Sequence, residues 1–266
     1  MSHESVAHTV SQRPPYSTRQ RALAVAYGVV CHTTYAIGIA AMMAGLGCGM
    51  TTGFGKLQGA SAVLANTLLL LQFPILHSLL LTDAGRRPLS RLAPGRLGRS
   101  LSTTSFATIS ALQIVAVFTL WSPSGVVWWQ PTWVVLVPWT AAFAASWLLL
   151  LKTMWDAGLG IQTGFHGWGA VARGFDPKKV PFRRKGTFRY VRQPVYIAFA
   201  LTLWTGPVWT PDHLAIALAW TAYCVLGPLL KEKRYVQFYG DAFRGYQETV
   251  PYWLPLSPLG REPRPS

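Results

Sequence analysis

Four long apolar runs fill the first 151 residues, at 22–46, 60–81, 103–121 and 132–151, and none contains Asp, Glu, Lys or Arg. About 20 apolar residues carry a helix across the hydrocarbon core of a bilayer. Two shorter apolar runs follow, at 194–210 and 213–230. Pro211 and Asp212 separate them, which predicts a tight helical hairpin. The pattern predicts an all-α, polytopic membrane protein with about six transmembrane helices.

Composition agrees. The chain is 51% hydrophobic and 12% charged, whereas a soluble domain is about 25% charged. Twelve Trp and ten Tyr suit the aromatic belts at membrane interfaces. The net charge of +15 raises nucleic acid as a partner, and its distribution argues against one. Twenty-three of the 24 Lys and Arg lie before helix 1, between helices 2 and 3, between 4 and 5, and after 6; the other is Lys56. That is the positive-inside pattern, with both termini and the basic loops cytoplasmic. Basic loops at a membrane surface also predict contact with membrane lipids.

The two halves differ. Residues 22–151 read as a four-helix transmembrane scaffold with few reactive groups. Residues 152–255 hold most of the chemistry and include the hairpin 194–230. Five glycines between 158 and 169 predict short or irregular helices. Residues 1–21, polar and with Pro14-Pro15, and the proline-rich 256–266 are expected as flexible tails, with no secretory signal. Gly45, Gly49 and Gly53 read as a flexible connection. Cys31, Cys48 and Cys224 are far apart and form no CxxC, so neither a disulfide framework nor a zinc site is expected.

Candidate chemistry gathers around Arg192. It stands two residues before Pro194, and Pro at a first helical position predicts a helix start there. The exposed amides and dipole of that start, with a fixed guanidinium, suit a carboxylate or phosphate. Glu232 follows the last apolar run, flanked by Lys231, Lys233 and Arg234. It reads equally as a local ion pair or as a carboxylate for a cationic ligand. Tyr239, Tyr246 and the Val250–Pro255 segment place aromatics nearby, as an interfacial belt or as ring faces for a cation. His32 and His77 are the histidines noted within apolar runs, and neither has a helical partner for a metal. Asp156 and Gln162 read as cap or turn residues.

RxPxY at 192–196, the apolar hairpin, E-x-R at 232–234 and FYGDAFRGYQETVPYWLP together resemble the integral membrane methyltransferases. That group includes isoprenylcysteine carboxyl methyltransferases and phospholipid methyltransferases. Methanethiol S-methyltransferases and NnrU-like proteins are the nearer likeness, through VPFRRKGTFRYVRQPVY and LWTGPVWTPDHLAIALAWTAY. AYGVVCHTTYAIG and LLLLQFPILHS extend it into the first half.

The resemblance implies S-adenosylmethionine, bound on the cytoplasmic side by the C-terminal half. It implies a cofactor pocket at Arg192, Gln193, Pro194, Tyr196, Glu232, Arg234, Tyr239 and Tyr246. It also implies a small or hydrophobic thiol as acceptor and a multi-pass place in a bacterial inner membrane. Isoprenylcysteine, a lipid, an NADPH-dependent sterol or lipid reductase, and a non-enzymatic membrane protein are the alternatives. No dedicated catalytic base stands out; His77 and Tyr196 are weak candidates. The family's RHP reads Arg192-Gln193-Pro194 here, and its E-E-R reads Glu232-Lys233-Arg234.

Overall fold

The computed structural model describes residues 15–254. Residues 1–14 and 255–266, which contain most of both expected tails, lie outside them. Helix α1 (Thr18–Gly47) starts inside the stretch expected as tail. The Ser17 side chain accepts from the Gln20 amide, and the Gln20 side chain accepts from the Ser17 amide. This capping box fixes a helix start in a polar sequence that hydropathy reads as loop.

With α2 (Gly59–Leu80), α5 (Ser102–Leu120), α6 (Trp133–Asp156) and α10 (Pro211–Tyr239), α1 makes five helices, among the described residues, long and apolar enough to cross a membrane. The protein is therefore all-α and polytopic, integral to a membrane. Shorter helices link these: α3 (Asp83–Leu89), α4 (Arg96–Ser100), α7 (Leu159–Gln162), α8 (Phe165–Ala172), α9 (Pro194–Trp204) and α11 (Asp241–Thr249). A 3-10 turn spans Gly186–Arg189.

The fifth apolar run gives a half-length helix. The 11 residues of α9 rise about 16 Å, against a hydrocarbon core of about 30 Å. The chain leaves the helix at Thr205-Gly206-Pro207, where glycine and proline both disfavour continuation. Backbone that is not helical at such depth needs partners from elsewhere in the protein. Trp209 N–H donates to the Trp129 carbonyl at 2.8 Å, and Trp128 N–H donates back to Trp209 O at 3.0 Å. Trp139 Nε1 donates to Gly206 O at 3.0 Å, and Thr210 Oγ1 donates to Gly49 O at 2.6 Å. His213, fully buried, places Nε2 2.8 Å from the Leu203 carbonyl at the end of α9.

Trp220 sits at the centre of the largest buried cluster, packed with Met42, Leu46, Phe73, Phe118 and Leu203. Its Nε1 donates to Leu70 O at 3.2 Å. Helix α1 approaches α5 closely at Gly45, which is buried. A β-carbon there would lie 2.4 Å from Phe118 Cδ1. Gly45 is thus a packing residue, not the flexible connection that the glycine spacing suggests. Gly45→Val should destabilise the protein by about 1–3 kcal/mol through overpacking. Thermal unfolding in detergent tests this, and an unchanged midpoint would mean that α1 and α5 do not meet at this position.

Candidate functional site

The buried carboxylate of Glu232 organises the end of the hairpin. Glu232 lies on α10 just past the apolar Leu229 and Leu230, and is only 7% exposed. Its Oε1 accepts from Gln193 Nε2 and its Oε2 accepts from Gln247 Nε2, each at 2.6 Å. Arg192 Nε lies 3.4 Å from Oε1, close enough for an ion pair but outside hydrogen-bonding geometry. Three segments therefore converge on one carboxylate: the approach to α9, α10 itself, and α11.

Arg192 is held on several sides. Its backbone N–H donates to Pro251 O at 3.0 Å, and Nη1 donates to Gln247 O at 3.1 Å. Its guanidinium lies 5.1 Å from the Tyr252 ring centre. Pro194 opens α9 as expected, and Ile197 N–H donates to Gln193 O at 3.1 Å. Arg192 Nε is buried with no hydrogen-bond partner. A guanidinium donor without a hydrogen bond, beside a helix start of this kind, fits an anionic group such as a carboxylate.

Gln193, 1% exposed, works in both directions. It donates to Glu232, and its Oε1 accepts from Lys231 Nζ at 2.8 Å. The Lys231 ammonium lies over three rings: Tyr196 at 5.3 Å, Tyr235 at 5.5 Å and Phe188 at 5.9 Å. An aromatic surround for a cation is therefore present, with a cation of the protein's own inside it.

The loop leading to Arg192 is fixed from α6, α10 and α11. Asp156 Oδ2 accepts from Thr187 N–H at 2.8 Å and from Thr187 Oγ1 at 3.0 Å, and Lys152 Nζ pairs with the same carboxylate. Gly186 has φ of +55°, and a β-carbon there would lie 2.3 Å from Asp156 Cγ, so only glycine fits. Tyr246 hydroxyl donates to Phe188 O at 2.8 Å, with Val191 O at 3.4 Å, and Tyr239 hydroxyl donates to Val180 O at 3.2 Å. Burial pushes the Tyr246 phenol above its usual range, so it stays a neutral donor. Phe182 packs against Tyr239, Phe243 and Tyr246.

The structure thus brings Arg192, Gln193, Pro194, Tyr196 and Glu232 together. Tyr239 and Tyr246 spend their hydroxyls on loop carbonyls. Arg234 makes no hydrogen bond or ion pair among the described residues. His77 Nδ1 meets Ser110 Oγ at 3.1 Å, between the rings of Phe73 and Phe106. Tyr223 links the two weak catalytic candidates, its ring centre 6.3 Å from both His77 and Tyr196. Asp156 is a loop anchor, more than a cap. His32 Nδ1 meets the Gly28 carbonyl at 3.0 Å. Gln247, Tyr223 and Lys231's place in the ring of aromatics escape the sequence reading. Among the described residues no group of three or more His, Cys, Asp and Glu could hold a metal.

Fold and site together describe a polytopic membrane protein with a buried, charged knot at one end of a helical hairpin. Over 86% of its length the chain is 27% identical to methanethiol S-methyltransferase of Pseudomonas sp. (strain GM41(2012)), covering 88% of that protein. Methanethiol S-methyltransferase 1 of Bradyrhizobium diazoefficiens is 25% identical over 96% of the chain and 91% of its own length. Nurim of Mus musculus is 30% identical over 58% of the chain and 61% of its own length. The resemblance read from the sequence is borne out. No protein-family model matches the chain, and no solved structure matches it.

Replacing Glu232 with leucine leaves the Gln193 and Gln247 amides without their acceptor. Each unpaired buried group costs about 1–3 kcal/mol. Glu232→Leu should therefore lower the unfolding midpoint well beyond Lys233→Leu, its exposed neighbour. Equal midpoints would mean that the knot does not hold α9, α10 and α11 together.

Proposed function

We propose that the protein is an S-adenosylmethionine-dependent membrane methyltransferase that S-methylates a small thiol, taking methanethiol to dimethyl sulfide. Similarity along most of both chains to proteins named for methanethiol S-methylation carries this reading. The arrangement at Arg192–Tyr196 and Glu232 supports it. The residues suit a donor that bears a carboxylate: Arg192 Nε is buried and makes no hydrogen bond, its one neighbour of opposite charge being Glu232 Oε1 at 3.4 Å.

S-Adenosylmethionine supplies a methyl group activated by its sulfonium. Arg192, with the first amides of α9, binds the donor's carboxylate. Glu232, whose oxygens are both engaged, positions Arg192 and Gln193 rather than receiving the donor's ammonium. The Tyr196, Tyr235 and Phe188 rings exclude water and orient the apolar partners, so that the chain's main contribution is alignment. Tyr239, Tyr246 and Asp156 hold the loop that carries Phe188. Arg234 adds to the positive charge at this end of α10. The basic loops and both termini face the cytoplasm of a bacterial inner membrane, and the acceptor enters from the bilayer.

Purified protein given methanethiol and S-adenosylmethionine should release dimethyl sulfide, read by headspace gas chromatography. Folded protein that yields none would sink the reading. Arg192→Ala should weaken S-adenosylhomocysteine binding about 10–100-fold, the equivalent of one charge-assisted contact. Unchanged affinity would remove Arg192 from the donor site.

Orientation has its own test, in a background where the exposed Cys48 is replaced by serine. A cysteine at the exposed Gln130 should react with an impermeant maleimide added outside the cell. One at Lys178 should react only after permeabilisation. The opposite pattern would invert the topology.

A further inference from the structure

Lys231 has no part in holding the donor as described, yet it is the most unusual cation in the site. Lys233, two residues on, is exposed. Lys231 instead turns its ammonium into the protein, over Tyr196, Tyr235 and Phe188. Its one hydrogen bond runs to a neutral amide oxygen, Gln193 Oε1. Among the described residues no carboxylate lies within ion-pair distance of it. The neighbouring Glu232 has both oxygens taken by Gln193 and Gln247. Two of the three ammonium N–H groups are left facing ring faces. Sequence position adds one more constraint: Leu229 and Leu230, immediately before it, are exposed apolar residues. The ammonium thus stands where the apolar surface of α10 ends.

A cation with spare donors, walled by aromatic rings, suits an anion that is soft, small and partly apolar. Oxyanions need several hydrogen-bond donors, which ring faces do not offer. A thiolate needs few, and sulfur packs well against aromatic rings. A nearby Lys also favours a thiol's ionised form. The methyl of a small alkanethiol would meet ring surface.

Resting on the methyltransferase reading above, we infer that Lys231 is a catalytic residue: its ammonium holds the acceptor as a thiolate against Tyr196, Tyr235 and Phe188. The S–H bond breaks heterolytically, the electron pair stays on sulfur, and the proton leaves to water. Gln193 aims the ammonium through its Oε1 and is itself fixed by Glu232. Other charged or titratable groups face Lys231 as well: Tyr196 from α9, and Glu232, Arg234 and Tyr235 from its own helix. All of these stay in place when Lys231 is changed, so the effect of its charge is separable.

The test compares wild type, Lys231→Gln and Lys231→Arg. The glutamine keeps a donor for Gln193 and loses the charge; the arginine keeps the charge. The readouts are kcat/KM for methanethiol against pH, and S-adenosylhomocysteine affinity by calorimetry. A cation beside a thiolate lowers the thiol's pKa, so activity in wild type should persist to lower pH. In Lys231→Gln the acidic limb should move up by about 1–3 pH units, with S-adenosylhomocysteine affinity close to wild type. Lys231→Arg should restore most of the limb. Lys231→Met gives the same comparison should the glutamine variant not fold.

An acidic limb unchanged in either neutral variant overturns the inference. So does an unmoved limb accompanied by lost S-adenosylhomocysteine affinity, which would make Lys231 a donor-site residue. A wild-type protein that makes no dimethyl sulfide overturns the functional reading itself. That result is distinct from an active wild type whose neutral variants keep its pH profile.

Discussion

A carboxylate buried at the end of a membrane helix has to be matched, and the architecture of the C-terminal half follows from that requirement. An unpaired buried charge costs far more than any single contact returns. Glu232 meets the requirement with two side-chain amides and a guanidinium drawn from residues 192, 193 and 247. Those partners belong to segments far apart in sequence. Satisfying one side chain therefore docks α11 and fixes the entry to α9. Arg192 and Gln193 are placed as a by-product of solving an electrostatic problem. A site that must hold a charged ligand in a fixed pose gains rigidity from the same arrangement.

Gln193 shows how a departure from a family pattern can preserve the geometry. An amide donates through nitrogen and accepts through oxygen at once, so Gln193 bridges Glu232 and Lys231. A neutral imidazole could make the same bridge in one tautomer, whereas a protonated one could not accept from the lysine. Glutamine cannot be protonated in this way. Gln193's part in the link is therefore independent of pH, and the site does not depend on a titrating histidine to stay assembled. Lys233, the other departure, projects outward and leaves Glu232's partners untouched.

The hydrophobic pattern made the membrane helices legible to within a few residues: 22–46 became α1, 60–81 became α2, and 103–121 became α5. It misjudged the ends where something other than apolarity decides. Helix α1 begins early because Ser17 and Gln20 cap it. Helix α10 runs nine residues past Leu230, because its charged last turns still have a carboxylate to bury. Helix α9 stops early at Thr205-Gly206-Pro207. In the site, Arg192, Pro194 and Glu232 carry signals that chemistry alone can read. Gln247 does not, since a lone glutamine on a short helix looks like surface until a buried acceptor calls for it. Tyr239 and Tyr246 were legible as aromatics near the site, but which carbonyls they would bind depends on how the 178–192 loop folds back. His213, passed over in the sequence, is needed only because α9 ends where it does.

The two acidic residues of α10 give the hairpin its scale. Asp212 and Glu232 are 20 residues apart, about 30 Å along a helix, which matches the hydrocarbon thickness. At one end Asp212 accepts from Trp121 Nε1 at 3.1 Å and from Ser124 N–H at 2.8 Å. At the other, Glu232 takes its three partners. Both carboxylates are tied to groups outside α10, so the helix cannot slide along its axis without breaking one set. Helix α9 is only half that length, and residues 205–210 make up the rest as non-helical chain held by Trp129, Trp139 and Gly49. A short α9 therefore does not loosen the hairpin. It lets Pro194 start at the level of Glu232 while the non-helical stretch, tied at Gly206 and Trp209, spans the remaining depth. The level at which Arg192, Gln193 and Lys231 gather is in this way tied to the thickness of the apolar layer, at the boundary where the apolar surface of α10 gives way to charge.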